Sequence, residues 1–190
     1  MLFRSLLIND PRFIERAEIL REKGTDRSRF FRGQVDKYSW VDLGSSYVLS
    51  DLLAAFLFAQ LEARASIQAK RQRVWERYAH GLAEWARRTG ARLPVVPAEC
   101  EQSFHMFYVL LPTPERRDAL LTHLRSRGML GVFHYLPLHL SRMGRTFGGE
   151  PGQCAVTEDV SARLVRLPFF NDLSEQDQDF VIAAVEEVGA

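Results

Sequence analysis

Apolar positions recur at helical spacing through most of the chain and gather into short runs elsewhere. Residues 6–8, Leu-Leu-Ile, read as a short buried strand closed by Asn9, Asp10 and Pro11. Pro11 then opens an amphipathic helix with Phe13, Ile14, Ala17 and Leu20 on one side, and Gly24 ends it. A buried strand needs neighbours on both edges, and no strand pattern precedes residues 6–8, so the chain reads as though it begins in the middle of a fold. Ser50 N-caps a long helical region running to about residue 88. Its first half, DLLAAFLFAQLEA, is apolar almost all round; it is expected to be buried on most faces and would suit a subunit or domain interface. The second half carries Ile67, Val74, Tyr78, Leu82 and Trp85 as a one-sided stripe. One straight rod of that length would measure about 58 Å, so a bend is expected near residues 63–67.

The remainder alternates between strand and helix patterns. Residues 92–96, 105–111 and 129–135 read as strands. Thr113 and Pro114 open a helix that Gly128 closes, a helix is expected over residues 157–164, and Ser174 caps the last one. The segment RLPFF (residues 166–170) is short and apolar. The pattern indicates a compact α/β unit from about residue 90 onward.

Composition narrows the class. The 190 residues carry 25 basic and 24 acidic side chains and are 46% hydrophobic, which excludes a disordered chain and disfavours a dedicated nucleic-acid binder. No apolar run reaches the roughly 18 residues of a membrane span and no signal peptide is evident, so a soluble, cytoplasmic protein without nucleic-acid or membrane partners is expected. Cys100 and Cys154 lack paired spacing and read as buried or incidental thiols. Only Lys23, Lys37 and Lys70 are lysines; the other 22 basic residues are arginine.

Candidate chemistry begins in residues 24–47, a long stretch without sustained period in which Phe30, Phe31, Tyr38 and Trp40 alternate with Arg27, Arg29, Arg32 and Lys37. Cations bind phosphates and aromatic faces stack on bases, and the neutral total charge favours a small nucleotide over a nucleic acid. A loop clamped on a partner surface by its aromatics fits the same residues. Gly44-Ser45-Ser46-Tyr47, just before the long helix, reads either as a phosphate cradle or as an ordinary capping turn. His134 and Tyr135 should alternate faces at the end of their strand. His134 and His139 lack the i, i+4 spacing of a metal pair, and Pro137 bars a helix there, so no metal site is expected. His105 lies at the start of another strand.

Longer motifs add a resemblance. The run from Arg16 to Glu62, RAEILREKGTDRSRFFRGQVDKYSWVDLGSSYVLSDLLAAFLFAQLE, followed by SFHMFYVLL, GVFHYLPLH and RLVRLPFFNDLSEQD, closely resembles pyridoxal-phosphate-dependent sugar-nucleotide aminotransferases of the DegT/DnrJ/StrS family. KGTDRSRFFRGQVDKYSW is similar to the branch that aminates dTDP-4-keto-6-deoxyhexoses for cell-surface polysaccharide precursors. MLFRS at the start does not match the family.

The resemblance implies the C-terminal part of a fold-type-I aminotransferase: a remnant of the large domain with the nucleotide-sugar loop (1–49), a long interface helical region (50–88) and a small α/β domain (89–190). It implies a homodimer with pyridoxal 5'-phosphate as cofactor, a dTDP-sugar as substrate and, typically for the family, glutamate as amino donor. Ser46 falls where many relatives place an asparagine that reaches the neighbour's cofactor phosphate. Arg32, Lys37 and Tyr38 would meet the nucleotide sugar, and His105, His134, Tyr135 and His139 would line its sugar side. None of the three lysines matches the motif that forms the Schiff base, so the chain is expected to lack the catalytic lysine and to be inactive alone. A non-catalytic nucleotide-sugar-binding or dimerisation module, or a dehydratase relative, remain alternatives.

Overall fold

A computed structural model describes residues 6–188, so the start MLFRS lies outside the described residues. The chain divides into two compact units, one ending at Arg64 and the other beginning at Ala65.

The first unit opens with a turn of 3-10 helix, Pro11–Phe13, capped by the Asp10 carboxylate, and continues as α1 (Ile14–Arg21). A short helix absent from the sequence pattern, α2 (Arg27–Phe31), lies inside the aromatic stretch. It is tied to α1 by two ion pairs, Arg29 with Glu15 and Arg32 with Glu18, both spanning fourteen residues. Residues 39–47 return along the end of α1. Val41 and Asp42 donate to the Gly24 carbonyl at 2.8 and 3.0 Å, Ser45 donates to Leu20 at 2.9 Å and Tyr47 to Arg21 at 3.0 Å. The return passes so close that a Cβ on Gly24, which has φ +76°, would sit 1.7 Å from the Asp42 carbonyl oxygen. The unit closes with α3 (Asp51–Glu62), capped by Ser50 as expected.

Two expectations for this unit are corrected. Residues 6–8 are not a buried strand: Leu6 and Leu7 are 78% and 85% exposed and no strand among the described residues pairs with them. An extended segment without a partner leaves its backbone groups to water, so apolar composition alone does not make it a strand. Helix α3 is not buried on most faces either. Leu52, Phe58 and Leu61 are 85%, 62% and 53% exposed, because the unit supplies no second layer to cover them.

The second unit holds the core. Helices α4 (Arg64–Gly81) and α5 (Ala83–Thr89) continue the helical region after interruptions at Ala63 and Leu82. The expected stripe is real: Val74, Tyr78, Leu82 and Trp85 are buried together with Phe107, Val109, Leu120, Leu124 and Val165. Trp75 and Tyr78 hold their rings 5.4 and 5.3 Å from that of Phe107. Burial costs the Tyr78 hydroxyl its ionised form and pushes its pKa above the ordinary tyrosine range, while the O–H donates to the Pro168 carbonyl at 2.9 Å.

The sheet is antiparallel and smaller than the pattern suggested. Strands β1 (Tyr108–Leu110) and β2 (Val132–Phe133) flank β3 (Leu164–Arg166), with Val165 opposite both Val109 and Phe133. Residues 92–96 contribute one bridge, Arg92 to Leu110, rather than a strand. The central strand starts inside the stretch expected to be helical, because Leu164 and Val165 reach the core by extending rather than by another turn. Helix α6 (Pro114–Ser126) is capped by Thr113, a short α7 (Arg142–Thr146) sits in the glycine-rich segment, and α8 (Ala155–Arg163) leads into β3. Ser174 caps α9 (Glu175–Glu187), whose Val181, Ala184 and Val185 complete the core. No helix among the described residues is long and apolar enough to cross a membrane. Cys100 and Cys154 are exposed free thiols, not buried ones.

Candidate functional site

The residues singled out by sequence fall into two groups, one in each unit. In the first unit the return of residues 39–47 along α1 opens a cavity of about 210 Å³ lined by Arg21, Glu22, Lys23, Thr25, Arg27, Tyr38, Ser46 and Val48. Bridges from Glu22 to Ser46 and from Thr25 to Trp40 hold its two walls. Lys23 adopts a left-handed backbone, φ 63°, which is unusual for a side chain with a Cβ. Its N–H donates to the Ser45 carbonyl at 3.0 Å, which fixes that conformation.

Three cations therefore share one small cavity with a serine hydroxyl and a phenol. The single carboxylate in the lining, Glu22, has one oxygen (Oε2) buried without a hydrogen-bond partner. Beside the cavity Arg27 stacks over Phe31, 5.0 Å to the ring centre, and over Tyr38 at 5.9 Å; Phe30 lies 5.7 Å from Tyr38, edge to face. The aromatic and basic residues of the stretch thus form one folded cluster.

Arg32 stands apart from the cavity lining. It forms a two-armed ion pair with Glu18 at 2.9 and 2.8 Å, and this hydrogen bonding holds the Glu18 carboxyl below the usual carboxylate range. Lys37 is exposed and outside the lining. Arg21, Lys23 and Glu22 were not singled out by sequence. The signal was Lys23-Gly24, because a left-handed residue followed by a left-handed glycine turns the chain back on α1.

In the second unit β2 ends at Phe133, yet burial still alternates over the next two residues, with His134 half-buried and Tyr135 exposed. Their rings meet edge to face at 5.5 Å, and Arg166 lies 5.8 Å over the Tyr135 ring. His134 Nδ1 is buried without a hydrogen-bond partner. His139 follows in a 3-10 turn, Leu138–Leu140, and its Nε2 lies 2.8 Å from Glu158 Oε1. His105 is exposed, its Nδ1 paired with the Ser103 hydroxyl at 2.8 Å. His134, Tyr135 and His139 thus belong to one short stretch, bordered by exposed Leu136, Leu138, Met143 and Phe147. Among the described residues no group of three or more histidines, cysteines or carboxylates is placed to hold a metal ion.

Residues 5–186 match the DegT/DnrJ/EryC1/StrS aminotransferase family, and the chain belongs to it. It is 29% identical over 184 residues to dTDP-3-amino-3,4,6-trideoxy-alpha-D-glucose transaminase of Streptomyces venezuelae, covering 96% of this chain and 45% of that protein. It is 25% identical over 183 residues to a pleiotropic regulatory protein of Geobacillus stearothermophilus, covering 96% of this chain and 46% of the relative. The crystal structure of S. venezuelae DesV, solved in complex with a ketimine intermediate, superposes with a TM-score of 0.81 at 30% identity over 94% of this chain and 44% of that one. The fold is thus the α/β fold of pyridoxal-phosphate aminotransferases, in part. The chain spans about half the length of the curated relatives it matches.

Proposed function

We propose that this chain is the C-terminal portion of a nucleotide-sugar aminotransferase and contributes phosphate and sugar recognition to it. The cavity that gathers Arg21, Lys23 and Arg27 around Ser46 and Tyr38 carries this reading. Cationic and hydroxyl donors converging on a small space suit a phosphate dianion, which supplies several acceptor oxygens at once. The donor set therefore fits the phosphate of pyridoxal phosphate, with Ser46, Lys23 and Arg27 as the residues that would hold it. That cofactor, when bound, supplies the electron sink that moves an amino group. Arg32, Lys37 and Tyr38 would meet the nucleotide sugar, Arg32 by exchanging Glu18 for a ligand phosphate. His105, His134, Tyr135 and His139 would line the sugar.

The branch resemblance of residues 23–40 makes the substrate a dTDP-4-keto-6-deoxyhexose aminated at C4. The product would be dTDP-4-amino-4,6-dideoxygalactose, made for lipopolysaccharide or enterobacterial common antigen, with glutamate as donor. None of Lys23, Lys37 and Lys70 falls at the family's catalytic lysine, so this chain alone is expected not to transaminate. The exposed face of α3 would be covered in a homodimer, and light scattering should read a dimer or larger species; a monodisperse monomer would contradict that part of the reading.

Calorimetric titration with pyridoxamine 5'-phosphate tests the cavity without chemistry at any lysine. Lys23→Ala with Arg27→Ala should weaken binding by about tenfold or more, the scale of one or two charge-assisted hydrogen bonds. Unchanged affinity in the double variant would overturn the assignment.

A further inference from the structure

The glycine-rich segment after His139 is held from two sides. Gly149 donates to the Gly144 carbonyl at 3.0 Å, and a Cβ on Gly149 would sit 2.1 Å from the His139 carbonyl oxygen. The segment therefore lies directly on the backbone of His139. The side chain of His139 is held by Glu158, in the first turn of α8. One carboxylate accepts from three donors: His139 Nε2 at 2.8 Å, the Gly152 N–H at 2.8 and 3.1 Å, and the Cys154 N–H at 3.4 Å. Both partners are largely enclosed, with side-chain exposures of 15% for His139 and 22% for Glu158.

A carboxylate can only accept, so the ring nitrogen facing it carries a proton. A neutral His139 is then the Nε2–H form, and Nδ1 is its acceptor. We propose that Glu158 is a positioning residue: it fixes the ring orientation and tautomer of His139 and pins the end of the 141–154 segment over it. The proposal deepens the reading above, since it rests on His139 meeting the sugar. In that reading Nδ1 is presented to a donor such as a sugar hydroxyl, and the segment closes the same edge of the site. The neighbouring Asp159 does not share the task, because Arg163 takes it up.

Long-range ¹H–¹⁵N spectra of the histidine-labelled full chain at pH 8 test the proposal without any ligand. Native protein should show the Nε2–H pattern for His139. Glu158→Ala should admit a detectable share of the Nδ1–H form, as in a free imidazole, and speed amide exchange at Gly152 and Cys154 by about tenfold or more, the loss of roughly one hydrogen bond to a charged group. Glu158→Gln keeps an acceptor oxygen and should restore most of the Nε2–H pattern, which also covers the case in which the alanine variant folds poorly. An unchanged His139 pattern in the alanine variant, or an averaged pattern in the native chain, would overturn it. Failure of the native chain to bind pyridoxamine phosphate or a dTDP-sugar would count against the site reading, while the tautomer pattern would still decide the role of Glu158.

Discussion

Replacing Gly24 by alanine is expected to dismantle the phosphate cavity and to cost the first unit about 2–5 kcal/mol, combining the left-handed penalty of a non-glycine residue with overpacking. Gly24 has φ +76°, and the new Cβ would meet the backbone oxygen of Asp42 at 1.7 Å and its carbonyl carbon at 2.7 Å. Neither atom belongs to a side chain that can swing aside. The strand-like return of residues 39–47 would have to leave α1, and with it Ser46 would leave Lys23 and Arg21. The hydrogen bonds from Val41 and Asp42 to the Gly24 carbonyl would be the first lost. Amide exchange across residues 39–47 should rise sharply, and pyridoxamine phosphate binding should disappear. A Gly24→Ala chain that binds as tightly as the native one would show that the turn does not build the site.

The second large effect is expected at Trp85. Its side chain is fully buried against the stripe formed by Tyr78 and Leu82, and its indole N–H donates to the Val188 carbonyl at 3.1 Å. Trp85→Ala should remove about 3–5 kcal/mol, the usual cost of deleting a large buried aromatic. It would also leave the carbonyl at the end of α9 without its partner. Domains of this size are stable by only about 5–15 kcal/mol, so this is a large share of the total. Thermal unfolding of the second unit should fall by roughly 10 °C or more. A fall of only a degree or two would mean that the tryptophan does not organise the core. Trp85→Phe, which keeps most of the volume, should cost markedly less.

These two positions differ in how far the sequence announced them. Trp85 sits in a helical stripe whose spacing marks one face, and that face is the core. The same logic placed α6 from Thr113, Pro114 and Gly128, and α9 from Ser174, because capping chemistry is local. It failed where structure depends on partners far along the chain. Strand β3 is three residues long, between a helix and Pro168, and carries no readable period; only its pairing with Tyr108–Leu110 and Val132–Phe133 makes it a strand. Residues 6–8 show the converse, an apolar run with no partner among the described residues. Helix α3 has the composition of a buried helix and an exposed surface, since composition records what a face requires and not which chain supplies it.

The candidate site divides along the same line. The aromatic-basic stretch was legible by composition, and Tyr38 and Ser46 do line one cavity. Lys23, Arg21 and Glu22 were not, because their convergence depends on a left-handed turn at Lys23 and Gly24 and on the return of a segment some twenty residues later. Glu158 was equally hidden: nothing in its neighbourhood in sequence points nineteen residues back to His139.

The account stands most directly on whether the cavity recognises phosphate. Titrating the native chain with pyridoxamine 5'-phosphate beside pyridoxamine, and with dTDP beside thymidine, isolates that group in each ligand and tells the cofactor's phosphate from the nucleotide's. At least one phosphate-bearing partner should bind about tenfold or more tightly than its phosphate-free counterpart, as expected for charge-assisted hydrogen bonds to cations gathered in a small cavity. Equal affinities within both pairs would contradict it.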